Sequence, residues 1–157
     1  MRAETTASSY EYAKFLLSNH LNKKRMPLCV WQEGKSYRRE QADGASPSKL
    51  RFNEFWQLEF QCIYSHNTKA DYRMAVQDNL VRLVEYLCSS EVRVVQSDRI
   101  PSYSTMTKDI EVYWLRDGKY EWKEVASISD RTDFPDAAVL EVAFGLDRVV
   151  CLASGVI

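Results

Sequence analysis

Residues 50–65, LRFNEFWQLEFQCIYS, alternate between two faces without a break. Leu50, Phe52, Trp56, Leu58, Phe60, Cys62 and Tyr64 share one face, with Glu54 the only charge among them. Arg51, Asn53, Phe55, Gln57, Glu59, Gln61 and Ile63 share the other. Successive side chains of a strand point to opposite sides, so the run predicts one very long strand with an apolar underside. A solvated upper face is common in antiparallel sheets. A long polar-topped strand is also what a large hydrophilic ligand lies on. The pattern predicts Trp56, Leu58 and Phe60 buried under helices, with Arg51, Phe55, Gln57 and Glu59 opening into a polar cleft.

The segments around this strand predict an α+β fold, a mainly antiparallel sheet flanked by helices. Ser8 to Glu11 forms a capping box that opens a helix running to about Lys24. Tyr12, Phe15, Leu16 and Asn19 mark its inner face, the Lys23-Lys24-Arg25 cluster suits its C-terminal end, and Pro27 stops it. Two short strands, 28–32 and 35–41, follow with Gly34 at the turn, and the polar loop 42–49 returns into the long strand. A helix over 69–88 carries Val76, Leu80, Leu83, Val84 and Leu87 on one stripe. A strand over 91–96 precedes a hairpin, 109–116 and 119–129, built around Asp117-Gly118. A strand over 139–143 and a helix from Gly145 close the chain, and residues 1–157 read as one domain.

Bulk properties narrow the partners. A net charge of -1 over 157 residues argues against gripping nucleic acid by bulk charge, though not against brief contact with an RNA end. The cysteines at 29, 62, 88 and 151 sit among apolar neighbours without CxxC spacing, which predicts buried reduced thiols. No apolar run approaches membrane-spanning length and no signal-peptide pattern opens the chain, so a cytoplasmic protein with no membrane partner is expected.

The segment GKSYRRE, the variable loop and LRFNEFWQLE together resemble motif 2 of the class II aminoacyl-tRNA synthetases, and VLEVAFGLDRVV resembles their motif 3. More narrowly, the chain resembles the glycyl-tRNA synthetase family. That family's R-P-E-T-A stretch is similar to residues 2–6, its F-R-N-E to residues 37–40, and its F-R-V-R-E-F-x-Q-x-E to residues 50–59. Its G-W-x-E and G-I-A-D-R-T-D-F stretches are similar to residues 121–124 and 127–134. The resemblance covers most of the chain.

It implies ATP-dependent activation of a small amino acid, glycine first, to an aminoacyl adenylate. Such chemistry needs no side-chain nucleophile, so it rests on positioning and on stabilising phosphate charge. By resemblance, Arg38 contacts the α-phosphate and the carboxylate, and an arginine fork suits both. Arg148 matches the motif 3 arginine on the γ-phosphate side, Phe55 the ring beneath the base, and Glu40 the group reading the adenine edge. Arg38, Glu40 and Arg148 are thus the expected catalytic residues, and Arg51 joins them with Phe55 and Glu124 in the expected ATP site. Glu124 and Glu141 are expected to hold Mg2+, which requires hard oxygen ligands. The amino-acid site is expected to comprise Glu4, Gln57, Glu59 and Glu141 around the ammonium, Arg131 for the carboxylate, and Ala143 beside the substrate.

The chain also departs from the family. No counterpart of motif 1, the dimer-forming element, precedes the Arg-x-Glu-Thr segment, and no anticodon-binding domain follows motif 3. The resemblance therefore implies a truncated catalytic core whose oligomeric state and acceptor, tRNA or another carrier, are open. Ala143 stands in place of a small hydroxyl residue, Ser127 in place of a glycine, and Pro135 interrupts the D-R-T-D-F-D run. A catalytically silent module that binds nucleotide, nucleic acid or a partner synthetase is the alternative reading. A purely structural domain is a third.

Overall fold

The computed structural model describes residues 3–18, 26–40, 44–68 and 71–155. Helix α1 (Thr6–Ser18) leads to strand β1 (Leu28–Tyr37), a 3-10 turn (Pro47–Lys49) and strand β2 (Glu54–Tyr64). Helix α2 (Tyr72–Cys88) follows, then β3 (Val92–Gln96), β4 (Ser104–Arg116), β5 (Lys119–Arg131), β6 (Ala138–Gly145) and helix α3 (Leu146–Ser154). The strands form a six-stranded sheet in the order β1-β2-β6-β5-β4-β3, antiparallel throughout. This is the expected α+β architecture.

The long strand is shorter than its alternation suggests. Its first four residues lie outside the strand: Leu50 caps the turn that Pro47 opens, where the amides of Lys49 and Leu50 bond to the carbonyls of Ser46 and Pro47, and Arg51 pairs with Ser46. Leu50 closes that turn at φ 50 and is fully buried, so the loop is clamped rather than loose. The orientation of β2 also corrects the expectation. Gln57, Glu59, Gln61 and Ile63 are its buried side, whereas Trp56 is 45% exposed and Leu58 and Phe60 are half-buried. Helices α2 and α3 cover the apolar side only in part, packing Leu80, Val84 and Val149 against Ile110, Val112, Ile128 and Val142. Helix α1 closes the other side.

Other boundaries shift for local reasons. Gly34 makes no turn: β1 pairs with β2 residue for residue from Leu28↔Ile63 to Tyr37↔Glu54. Helix α1 buries Thr6, Ser9, Tyr10 and Ala13, a face rotated from the expected one, leaving Tyr12 57% and Phe15 65% exposed. Hydroxyls turn inward because the strands beneath present Gln32 and Glu59. Tyr10 packs edge-on against Phe134 at 4.9 Å, joining Ala13, Val30, Ile63 and Val139 in the core of this side. On α2, capped by Asp71, Leu83 and Leu87 stay largely exposed while Leu80, Val84 and Cys88 are buried. The hairpin turn is as expected, with Asp117 and Gly118 both at positive φ, the requirement of its primed type. Asn19, the Lys23–Arg25 cluster and Lys69 lie outside the described residues. Of the cysteines only Cys88 is buried, and Cys29 is exposed. No helix among the described residues is long and apolar enough to cross a membrane.

Candidate functional site

The buried polar side of the sheet carries two adjoining groups of side chains, one cationic and one acidic. The cationic group lines a cleft between the end of β1, the start of α3 and the middle of β5. Beyond Tyr37 the chain is pinned by Asn53, whose backbone carbonyl accepts from Arg38 N at 2.9 Å and whose Oδ1 accepts from Glu40 N at 3.1 Å. That clamp brings Arg38 and Glu40 to the cleft, with the Arg38 guanidinium 5.1 Å over the Phe55 ring. Across the cleft, Arg148 sits in the first turn of α3. Its Nε donates to Leu50 O at 2.9 Å and its Nη1 to Glu124 O at 3.0 Å, with Glu124 Oε2 3.5 Å away. Asp147 beside it accepts from Trp56 N at 2.5 Å and ties α3 to β2. Arg38, Glu40, Phe55, Gln57, Glu124, Ala143 and Arg148 all line this one cleft.

Charge reinforces the geometry. Lys123 donates to Lys49 O, and its pKa is lowered to about 8 by burial and then by the cations of Arg148 and Arg51. Asp109 is raised to about 6 by burial and the neighbouring Glu124 carboxylate. Arg51 is exposed beside the cleft on the 46–51 loop, where its charge, with that of Arg148, acts on Lys123, but it does not line the cleft itself.

The acidic group lies deeper along the same strands. Gln57 joins the two, accepting from Ser36 Oγ at 2.7 Å and donating to Glu59 Oε1 at 2.6 Å. Glu59 is 1% exposed and its Oε2 also faces the hydroxyls of Thr5 at 2.5 Å and Thr6 at 3.0 Å. Glu141 Oε2 accepts from Arg131 Nη1 at 2.9 Å and from Gln61 Nε2 at 3.2 Å. Arg131 is gripped from the other side by Asp133, at 3.1 and 2.7 Å, and lies 3.9 Å over the Tyr103 ring. Burial opposes its charge, but Asp133 and Glu141 hold it above the ordinary arginine range. Glu4 is at the rim, 3.6 Å from Arg131. Ala143 pairs with Glu59 in register, between the acidic group and the cleft.

Thr5, Thr6, Tyr103 and Asp133 are contacts that sequence reasoning missed. The Arg-x-Glu-Thr and D-R-T-D-F segments flagged their neighbourhood, but attention fell on the charges and not on the residues that partner them. Glu124 lines the cleft with its side chain 48% exposed, the kind of open carboxylate that Mg2+ uses together with substrate phosphates and water. Glu141 is less open, since its Oε2 is committed to Arg131 and Gln61, and at neither glutamate do three or more described His, Cys, Asp or Glu residues come together to hold a metal ion.

Glu141 has a measurable signature. Burial raises its pKa from 4.5 to about 7, a shift that Arg131 offsets in part and Glu59 adds to. Between those values the folded protein holds a proton that the unfolded chain has lost. The stabilising contribution is therefore full below about pH 4.5 and is lost as pH rises through about 7. At about 1.4 kcal/mol per unit this amounts to on the order of 3 kcal/mol. Glu141→Gln is expected to remove that slope from urea-unfolding free energies, and an unchanged slope would contradict the assignment.

No protein-family model matches the chain. The glycine–tRNA ligase of Clostridium kluyveri is 26% identical over 145 residues, covering 85% of this chain and 28% of that protein. The glycine–tRNA ligase of Lysinibacillus sphaericus is 30% identical over 114 residues, covering 71% of this chain and 24% of that one. The chain thus spans about a quarter of the length of the curated relatives it matches. A structure of Giardia lamblia prolyl-tRNA synthetase in complex with prolyl-adenylate superposes with a TM-score of 0.71 at 14% identity, covering 98% of this chain and 33% of that chain. The chain has the fold of a class II aminoacyl-tRNA synthetase catalytic core, and its sequence is similar to that of glycine–tRNA ligases.

Proposed function

We propose that the cleft binds ATP and that the adjoining acidic group receives the ammonium of a small amino acid, glycine first. The two would react to an aminoacyl adenylate. The observation that carries this reading is the convergence of Arg38, Glu40, Phe55, Glu124 and Arg148, drawn from four separate places in the chain, on one cleft. In the proposed step a carboxylate oxygen attacks the α-phosphorus, the bond from that phosphorus to the bridging oxygen breaks, and pyrophosphate leaves. Arg38 is free to turn from Phe55 to the α-phosphate, where its fork would stabilise the charge that develops. Phe55 supplies a face for the base, and Arg148 a second cation for the outer phosphates. Mg2+ beside Glu124 would neutralise phosphate charge when bound.

The polarity of the site supports the substrate assignment. Cations stand at one end and Glu59, Glu141 and Glu4 at the other, with Gln57 and Ala143 between. A substrate pair with phosphates at one end and an ammonium at the other matches that order. Residues 1–157 act in this reading as one catalytic-core domain, and the acceptor is a tRNA end or another carrier.

A second reading has its own support. Arg131 is 4% and Glu141 6% exposed, and the two satisfy each other, which also describes a nucleotide-binding module without amino-acid activation. Glycine-dependent exchange of pyrophosphate into ATP separates the two. Glu59→Gln is expected to lower that exchange at least tenfold while ATP binding stays within about twofold, since a hydrogen bond to a charged group contributes about 1.5–3 kcal/mol. Equal loss of both would argue against the ammonium role.

A further inference from the structure

On the other side of the sheet, facing away from the cleft, Cys29 of β1 and Cys62 of β2 stand directly opposite one another in antiparallel register. Residues so opposed share a face, with Cα atoms about 4.5–5.5 Å apart. That lies inside the about 4.4–6.8 Å over which a disulfide forms without backbone movement. The two thiols are near enough to shift each other's titration. Cys29 is exposed on the edge strand and Cys62 half-buried, both lining a shallow apolar groove with Phe60, Val76 and Leu83.

We propose that Cys29 and Cys62 are a peroxide-sensitive dithiol that closes to an intramolecular disulfide. Cys29, exposed on the edge strand, is the sulfur a peroxide reaches, and its neighbour Cys62 lowers its pKa to about 7, whereas the half-buried Cys62 is held above the ordinary thiol range and keeps its proton. The Cys29 thiolate attacks a peroxide oxygen, an S–O bond forms, the O–O bond breaks, and hydroxide leaves. Cys62 gives its proton to that hydroxide, and its sulfur then attacks the sulfenic sulfur of Cys29. The S–S bond forms as the S–O bond breaks, and the departing hydroxide takes up the proton that Cys29 had released to solvent on ionising and leaves as the second water. Two thiols lose two electrons in total, and hydrogen peroxide is reduced to two waters. The cross-link ties the edge strand β1 to β2 and does not depend on what the cleft binds.

The full chain is treated with stoichiometric hydrogen peroxide, its free thiols are alkylated, and it is digested without reductant for mass mapping. The expected product joins the Cys29 and Cys62 peptides with the loss of two hydrogens, disappears on reduction, and leaves Cys88 and Cys151 alkylated. Cys62→Ala is expected to stop the reaction at a sulfenic acid on Cys29 that a dimedone probe captures. Recovery of both wild-type cysteines as free thiols would overturn the proposal. So would a sulfinic acid on Cys29 without the cross-link, or a Cys29 bridge between two molecules.

Discussion

Magnesium-ATP raises the melting temperature of the wild-type protein, and Arg38→Ala abolishes the rise without lowering the starting value. A ligand that binds only the folded state stabilises by about 2.7 kcal/mol at a hundredfold excess over Kd. For a chain of this size each kcal/mol moves the transition by about 2–4 °C. The expected rise is therefore about 5–10 °C. Arg38 is the informative position because its side chain is exposed and its described contact is the Phe55 ring, so removing it costs the fold little. Arg148 is a poorer choice. Its bonds to Leu50 O and Glu124 O brace the 47–50 turn against β5, and its loss would destabilise the protein whether or not ATP binds. An undiminished rise in Arg38→Ala would remove this arginine from the ATP site.

The second large effect belongs to Arg131. Arg131→Met leaves Glu141 buried without its cation and frees Asp133, and it removes the guanidinium from the Tyr103 and Tyr10 rings. Breaking one side of a buried ion pair costs about 3–5 kcal/mol. Here Glu141, whose pKa of about 7 rises further without Arg131, takes up a proton, so the cost falls on the lost hydrogen bonds to Glu141 and Asp133 and on the vacated ring faces. Native proteins have only about 5–15 kcal/mol in total. The melting temperature is expected to fall by about 6–20 °C at neutral pH. Adding Glu141→Leu is expected to recover a large part of that loss, because an apolar pair of similar volume replaces a buried ion pair at little cost. A fall of under about 2 °C in Arg131→Met would mean that the Arg131–Glu141 pair does not hold the polar side of the sheet together.

Much of this site was legible in the chain, and the limits of that legibility have physical causes. The resemblance to the synthetase motifs, rather than spacing or alternation, singled out Arg38, Glu40, Phe55, Glu124 and Arg148, and the structure brings all five to one cleft. Alternation over 50–65 could not say which side of β2 would be buried. Glu59 and Gln57 are buried because Thr5, Thr6 and Ser36 satisfy them, and such partners come from segments far away in the chain. The same cause rotated α1: its apolar stripe pointed to Tyr12 and Phe15, but hydroxyls at Thr6 and Ser9 were what the polar sheet beneath required. Arg51 shares the face of Phe55 by alternation alone, but the strand begins only at Glu54 and Arg51 instead pairs with Ser46.

Amino-acid-dependent ATP–pyrophosphate exchange, measured with each of the twenty amino acids on the wild-type protein, tests the central claim most directly. The account predicts exchange that is greatest with glycine, detectable with alanine because the missing hydroxyl at Ala143 weakens the discrimination against it, and absent with bulky side chains. No exchange with any amino acid, in a protein whose melting temperature ATP still raises, would leave a nucleotide-binding module and contradict the proposed activation.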